Sequence, residues 1–311
     1  MTPTNPPTDS DRDLLHVVTF SGGKDSVATW LHLERDRGLR VQCVYADTGW
    51  EADELYPYLD LLVKEHGCPL VRIKPQVRDA YYDRNIPTGM SEEEASQEID
   101  MEWLVKFKQR PPSPTKRFCT SILKLAPLRR YVQSIEGRML LCCGVRAQES
   151  AKRAAMVPQC YDDFMGRERD FPIFTWTVEQ VFDLHKKYSV PINPLYLKGC
   201  SRVGCYPCIN ARKGDIAVVA ADPNARRRLY QIEALTGKTW FAPGTASKAY
   251  QSTVDPKSGT RINTAEDVIR WATDQQPQMK SDGMFAGQEV PIEYDDGAES
   301  GVCLSVYGLC E

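Results

Sequence analysis

Ser21-Gly22-Gly23-Lys24-Asp25-Ser26 follows an apolar, β-branched run at residues 14–20 and precedes helix-like apolar spacing that begins at Val27. This order predicts a strand, a tight turn and a helix. Glycines let the backbone approach an anion closely, amide groups at a helix start point toward it, and Lys24 adds a compact positive charge. The serines can donate hydroxyl hydrogen bonds to the same oxygens. The stretch is therefore interpreted as a phosphate-binding loop, with an ordinary turn as the alternative.

Strand-like runs and helical patterns alternate along the first half of the chain. The strands are predicted at 14–20, 40–46, 69–74 and 138–143, and the helices at 26–37, 51–66 and 121–135. This alternation predicts an α/β fold, a parallel twisted sheet with helices on both faces. Ligands bind such sheets beyond the carboxyl ends of the strands. Asp47 and Gly144, which follow two of these strands, are therefore expected on one rim with the phosphate-binding loop.

The chain divides into three predicted regions. Residues 1–13 are predicted as a flexible tail, residues 14–215 as a nucleotide-binding domain with a cysteine cluster, and residues 216–311 as a helical and irregular extension. Within the extension, helices are predicted near 222–236 and 264–274. The candidate functional residues fall in the middle region.

The composition is that of a soluble globular protein, with 311 residues, 42% apolar content and a formal net charge of −3. No apolar run approaches the roughly 18 residues of a membrane span, and the first residues lack the features of a secretory signal. With eleven cysteines and no export signal, the expected compartment is the reducing cytoplasm, and no membrane partner is expected. The low net charge gives no global field for nucleic acid, so DNA contact would depend on local patches.

Cys200, Cys205 and Cys208 form a Cys-x4-Cys-x2-Cys cluster in a predicted loop. Three soft ligands so close together are typical of a metal site. A tetrahedral zinc or a cubane cluster needs four such ligands, so one more is expected from elsewhere in the chain. The spacing alone leaves zinc, an iron–sulfur cluster and free thiols open.

Four stretches together establish a family resemblance. The Ser21–Ser26 stretch resembles the PP-loop of the adenine nucleotide α-hydrolase superfamily. The others follow in the family's order: Val44-Tyr45-Ala46-Asp47-Thr48-Gly49, Gly144-Val145-Arg146-Ala147-Gln148-Glu149-Ser150, and Trp176-Thr177 through Pro191-Ile192-Asn193-Pro194-Leu195-Tyr196. Together they narrow the resemblance to the phosphoadenosine phosphosulfate (PAPS) reductase-like family, over roughly residues 14 to 215.

The resemblance implies a nucleotide site, with ATP favoured over PAPS because the full lysine-containing PP-loop is present. The residues expected to bind the nucleotide are Ser21, Gly22, Gly23, Lys24, Asp25, Ser26, Asp47, Thr48, Gly144, Arg146 and Arg153. Those expected to take part in the chemistry are Lys24, Asp25, Arg146 and Glu149. Asp25 or Asp47 would hold Mg²⁺, and the two arginines would steady phosphate charge. Glu149 is expected to orient Arg146 or the ribose.

Cys119 is the expected fourth metal ligand. It stands in a segment that resembles the family's Arg-x-Cys-Thr…Leu-Lys, whose cysteine joins the later three around an iron–sulfur cluster. The resemblance therefore implies a [4Fe–4S] cluster, with zinc as the alternative, on Cys119, Cys200, Cys205 and Cys208. Weaker candidates are Cys160, Cys142 and Cys143, of which the last two lie in a strand-like run where cysteine behaves as a small hydrophobe.

Among such proteins the chain is similar to the iron–sulfur ATP-pyrophosphatase subunit of DNA phosphorothioation systems. On this hypothesis ATP adenylates an acceptor, pyrophosphate leaves, and sulfur from a donor such as a cysteine desulfurase is transferred, with DNA bound through partner subunits. The first alternative is a PAPS or adenylylsulfate reductase that releases sulfite, in which Cys303 or Cys310 would supply a mobile thiol. The second is a non-catalytic nucleotide-sensing or DNA-binding subunit.

Overall fold

The computed structural model describes residues 13–255 and 259–274, and it centres on a six-stranded sheet. The strands are β1 (Leu15–Phe20), β2 (Val41–Ala46), β3 (Leu70–Ile73), β4 (Met139–Cys143), β5 (Cys160–Asp162) and β6 (Arg167–Asp170). Their order is β3-β2-β1-β4-β6-β5, and within this sheet β5 alone is antiparallel to its neighbour. The predicted α/β fold with a mostly parallel sheet is confirmed.

The helices follow the strands in the predicted alternation. They are α1 (Lys24–Leu31), α2 (Leu55–His66), α3 (Glu92–Ser96), α4 (Met101–Lys108), α5 (Phe118–Thr120), α6 (Ala126–Ser134), α7 (Ala151–Ala154), α8 (Val178–Lys187), α9 (Pro194–Leu197), α10 (Lys213–Ala221), α11 (Pro223–Thr236) and α12 (Ala265–Thr273). A π-helical turn at His32–Asp36 extends α1, and another at Ser121–Leu125 joins α5 to α6. None of these helices is long and apolar enough to span a bilayer.

The apolar core lies on both faces of the sheet. Successive side chains of a strand point to opposite faces, and β1 follows this rule. Val18 and Phe20 belong to the cluster that contains Trp30 of α1, whereas Val17 belongs to a second cluster with Leu128 of α6. Helices therefore cover both faces, as predicted.

The hairpin of β5 and β6 was not predicted. Residues 167–170 read Arg-Glu-Arg-Asp and have no apolar alternation, so the sequence gives no strand signal. The strand forms because β6 pairs with β4, and Arg169 lies 3.4 Å from Asp162 across the hairpin. Tertiary pairing therefore outweighs local pattern at this edge of the sheet.

The predicted helices near 222–236 and 264–274 correspond to α11 and α12, and a short hairpin of β7 (Thr253–Val254) and β8 (Arg261–Ile262) precedes α12. The sequence analysis missed α10, whose small and apolar residues show no single apolar face. The domain boundary predicted at residue 215 falls within α10, whose Ile216 belongs to the same core cluster as Val18. This boundary stays a prediction. Residues 1–12, Cys303 and Cys310 lie outside the described residues.

Candidate functional site

The phosphate-binding loop occupies the turn between β1 and α1, at the carboxyl end of β1. Its serines bond to the loop itself: the Ser26 hydroxyl donates to the Gly23 carbonyl at 2.9 Å, and Ser21 Oγ accepts from the Gly23 amide at 3.2 Å. Gly22 has a φ of +76°, and a Cβ there would lie 2.8 Å from a side-chain carbon of Leu55. The loop is thus shaped by its own side chains and packed closely against α2.

Asp25 gathers two cations at the start of α1. Its fully buried carboxylate lies 2.9 Å from Lys24 Nζ and 2.6 Å from Arg146 Nε. Burial acts to raise the pKa of Asp25, but the neighbouring cations outweigh it and hold the pKa below its usual value. Two positive charges and one negative charge leave the cluster positive, so this edge of the sheet favours an anionic ligand.

A segment far along the chain fastens the loop from the other side. Asn193 Nδ2 donates to the Gly22 carbonyl at 3.1 Å, and the Lys24 amide donates to the Tyr196 hydroxyl at 3.3 Å. His185 Nε2 lies 2.9 Å from the Lys24 carbonyl, and burial lowers the pKa of His185, which favours a neutral ring that donates through Nε2. The sequence analysis did not assign these three residues to the site. The Pro-x-Asn-Pro-Leu-Tyr segment was the signal available for Asn193 and Tyr196.

Gly144 brings the end of β4 against the start of α1. A Cβ at this position would lie 3.0 Å from backbone atoms of both Asp25 and Ser26. A side chain would therefore push the two segments apart, and glycine permits the close approach. This is a structural reason for glycine at a position that was expected to contact the nucleotide.

Arg146 is positioned by the residues that follow it. Its amide donates to the Glu149 carboxylate at 2.8 Å, and its Nη1 donates to Gln148 Oε1 at 2.8 Å. Glu149 also pairs with Arg153, which is itself buried. The structure thus brings Arg146, Glu149 and Arg153 together, with Glu149 fixing the backbone that carries Arg146.

Asp47 and Thr48 follow β2. Asp47 is half-buried, and its Oδ1 accepts from the Tyr56 hydroxyl at 2.9 Å and from the Gly49 amide at 3.1 Å. Thr48 is buried, and its hydroxyl donates to Glu51 at 2.7 Å. Glu51 was not among the predicted site residues, since one acidic residue among the four of residues 47–54 carries no signal of burial.

The four cysteines predicted as metal ligands line two cavities that share Cys205 and Cys208. Cys119 lines one of them and Cys200 the other. Burial raises the pKa of Cys200 to about 12. Four thiols suit zinc or an iron–sulfur cluster by their chemistry. Within residues 13–255 and 259–274, however, no three or more His, Cys, Asp or Glu side chains are arranged as a metal-binding group, so the metal stays a prediction.

The weaker cysteine candidates lie apart from these cavities. Cys142 and Cys143 are fully buried in β4, as small hydrophobes are, and burial raises the pKa of Cys143 to about 12. Cys160 lies in β5, where its Sγ accepts from Arg169 Nη2 at 3.0 Å. None of these three thiols therefore lines either of the two cavities.

Fold and site together define an α/β protein with a PP-loop-like turn at the carboxyl edge of a mostly parallel sheet. The family model for the phosphoadenosine phosphosulfate reductase domain matches residues 15–211. This match spans more than half of the chain, and the chain belongs to that family. The family resemblance expected from the four sequence stretches is therefore confirmed.

The chain is also similar to individual proteins. The chain is 35% identical over 268 residues to an uncharacterized 37.8 kDa protein of Escherichia phage 186, which covers 74% of this chain and 80% of the phage protein. It is 26% identical over 199 residues to the adenosine 5'-phosphosulfate reductase of Allochromatium vinosum, covering 64% of this chain and 69% of that enzyme. A crystal structure of PAPS reductase from Candida auris aligns with a TM-score of 0.45 and 16% identity, over 62% of this chain and 82% of that one.

Proposed function

We propose that this protein is a PP-loop ATP pyrophosphatase that adenylates an acceptor for sulfur transfer. The observation that carries the proposal is the positive cluster of Lys24 and Arg146 around the buried Asp25, at the helix start that follows the loop. Such a cluster suits the phosphates of a nucleotide, because amide groups at the helix start and fixed cations act on the same oxygens.

Each residue of the cluster has a distinct role in this proposal. Lys24 and the loop amides bind the β- and γ-phosphates, and Arg146 stabilises the charge that develops as an acceptor oxygen attacks the α-phosphorus and pyrophosphate leaves. Both oxygens of Asp25 face cations, so Asp25 anchors Lys24 and Arg146. Asp47, which is half-buried, is the better magnesium ligand of the two aspartates. Glu149 and Arg153 keep Arg146 in place.

The cysteines are assigned to the sulfur-transfer half of the reaction. Cys119, Cys200, Cys205 and Cys208 would hold a [4Fe–4S] cluster, or zinc as the alternative. When bound, the cluster would hold or deliver the sulfur that displaces AMP from the adenylated acceptor. The resemblance favours DNA phosphorothioation as the setting, with DNA reached through partner subunits and a cysteine desulfurase as donor.

A sulfonucleotide reductase is the second candidate, and the similarity to adenosine 5'-phosphosulfate reductases favours it. In that case the positive cluster would bind the phosphates of PAPS or adenylylsulfate, and a cysteine thiolate would attack the sulfonate sulfur and displace the nucleotide. A thiol of an external dithiol reductant would then release sulfite and form a disulfide with the cysteine. The lysine-containing loop supports ATP instead. The two candidates differ in the nucleotide that binds tightly.

Calorimetric titration of the anaerobically purified protein with ATP·Mg²⁺, PAPS and adenylylsulfate separates the candidates. We expect tight ATP binding that is lost in Lys24→Ala and kept in Lys64→Ala, a control lysine exposed on α2. Preference for either sulfonucleotide would replace the proposal with the reductase. ATP binding without pyrophosphate release in the presence of candidate acceptors would instead indicate a nucleotide-sensing subunit. Iron, labile sulfide and zinc analysis of the same sample tests the metal.

A further inference from the structure

The turn between β2 and α2 contacts the cysteine loop directly. Trp50 Nε1 donates to the Pro207 carbonyl at 3.0 Å, and the Trp50 carbonyl accepts from the Tyr206 amide at 2.7 Å. Both partners lie between Cys205 and Cys208 in sequence. The Trp50 ring is buried and lies 5.0 Å from the ring of Trp240, which lines the cavity of Cys119. The position of the cysteine loop therefore depends on this turn.

The same turn is organised by one buried carboxylate. Glu51 is only 2% exposed, and it accepts hydrogen bonds from the Trp50 amide at 2.9 Å and the Thr48 amide at 3.3 Å. The Thr48 hydroxyl donates to it at 2.7 Å, and the Tyr56 hydroxyl, which is nearer to Asp47, lies 3.4 Å away. A carboxylate suits this position because the amides of Thr48 and Trp50 are donors and a carboxylate is an acceptor only.

Glu51 also reaches the nucleotide rim through Tyr56. The Tyr56 hydroxyl lies 2.9 Å from Asp47 Oδ1 and 3.4 Å from Glu51 Oε2, so it stands between the two carboxylates. Burial raises the pKa of Glu51 and the nearby Asp47 acts in the same sense, whereas Lys124, which lines the cavity of Cys119, acts to lower it. Through Tyr56 and Trp50, the Glu51 carboxylate is thus linked to both the nucleotide rim and the cysteine loop, although it is part of neither.

We propose that Glu51 is a positioning residue that holds Asp47 at the rim and Trp50 against the cysteine loop, so that one side chain aligns both halves of the site. This inference rests on the proposed function for its nucleotide. Glutamine at the position keeps the shape, but its NH₂ group turns donors toward the backbone amide of Thr48 or Trp50, which can only donate. Two buried donors that face each other without an acceptor destabilise the turn, so Asp47 and Trp50 are both held less firmly.

Three variants distinguish the contacts toward Asp47 from the contacts toward the cysteine loop. Tyr56→Phe removes the hydroxyl beside Asp47, Trp50→Phe removes the donor to Pro207, and Glu51→Gln disturbs both. Two quantities are measured on the purified full chain: the Kd of ATP·Mg²⁺ by calorimetry, and the alkylation rates of Cys205 and Cys208 by iodoacetamide labelling with peptide mass spectrometry. Glu65→Gln, an exposed acid on α2, is the control.

We expect Tyr56→Phe to weaken ATP binding and Trp50→Phe to speed alkylation, each by about three- to tenfold, as the loss of one hydrogen bond predicts. Glu51→Gln should change both quantities, and Glu65→Gln neither. General destabilisation would move both quantities in all three variants together. That pattern, or a Glu51→Gln protein with unchanged Kd and alkylation, would overturn the inference.

The same measurements keep this inference distinct from the proposed function. If the wild type binds PAPS in place of ATP, the pyrophosphatase proposal fails. The effect of the variants on the nucleotide rim is then measured by the Kd of PAPS. If ATP binds tightly and Glu51→Gln leaves that Kd unchanged, the positioning role fails while the pyrophosphatase proposal stands.

Discussion

The phosphate-binding loop and the cysteine loop lie in the same chain but are built in different ways. The first is buried and bonded on every side: by its own serines, by Asp25 with two cations, and by Asn193 and His185. In the second, Cys205 and Cys208 are half-buried, and the turn of Trp50 supplies two hydrogen bonds between them. One loop is held by protein contacts from several segments, and the other leaves two of its thiols partly exposed.

The two loops should therefore respond differently to substitution. A preorganised anion site is part of the folded core, so substitutions there cost folding free energy as well as binding. In the cysteine loop, Cys200 is buried in the core, whereas Cys205 and Cys208 are half-buried and pack against it, so substitution of these two should cost little folding free energy. The predictions below test this separation.

The largest expected effect is that of Asp25→Ala. Removing this carboxylate leaves the buried Lys24 and Arg146 without their shared counter-ion, and breaking a buried pair in this way costs about 3–5 kcal/mol of unfolding free energy. Chemical denaturation measures the loss. Asp60→Ala is the control, because Asp60 pairs with Arg72 at the exposed surface and such pairs contribute at most about 1 kcal/mol. Equal losses in the two variants would contradict the assignment of Asp25 to a buried cluster.

Local patterns made most of the fold predictable. Strands β1 to β4 are rich in apolar and β-branched residues, and the loop after β1 has a short fixed spacing of glycine, lysine and serine. Each of these signals is contained within a few consecutive residues, so no tertiary information is needed to recognise it. The charged strand β6 and the all-round apolar α10 show the converse, since each is defined by the neighbours it packs against.

The candidate site was predictable only in part, because its contacts join distant residues. The rim position of Asp47 and Gly144 follows from the parallel topology. The pairing of Asp25 with Arg146 spans 121 residues, and the bond of His185 to Lys24 spans 161. No pattern in the sequence states which residues meet across such separations.

Gly144→Ala tests the close approach of β4 to the loop. The added Cβ would meet backbone atoms at 3.0 Å, so the two segments must separate, and overpacking of this kind costs about 1–3 kcal/mol. We expect weaker nucleotide binding together with this loss of stability. Gly214→Ala is the matched control, since nothing lies within 4 Å of its Cβ and it sits in α10, where alanine favours the helix. A Gly144→Ala protein as stable as Gly214→Ala would remove the steric argument.

The pH dependence of stability tests the contact of His185 with the loop. Burial lowers the pKa of His185 in the folded protein, so below its usual value of 6.5 the unfolded chain binds a proton that the folded one does not. Stability is therefore expected to fall as the pH drops from 7.5 to 5.5, by up to about 1.4 kcal/mol per pH unit for one proton. Denaturant titrations should show a shallower slope in His185→Gln. An unchanged slope would place the proton uptake elsewhere, with His32 as the alternative because burial lowers its pKa too.

The smallest expected effect on stability is that of Cys205→Ser in the cysteine loop. Its side chain is half-buried and outside the packed anion site, so in chelator-treated protein the unfolding free energy should change by no more than about 0.5 kcal/mol. Metal content should respond differently, because one of four soft ligands is replaced by a poor one. Cys160→Ser, which alters a thiol of β5 away from the two cavities, should leave metal content intact. A stability loss in Cys205→Ser as large as that of Asp25→Ala would mean that this half-buried thiol stabilises the fold as much as the buried Asp25 carboxylate does, and the contrast between the two loops would fail.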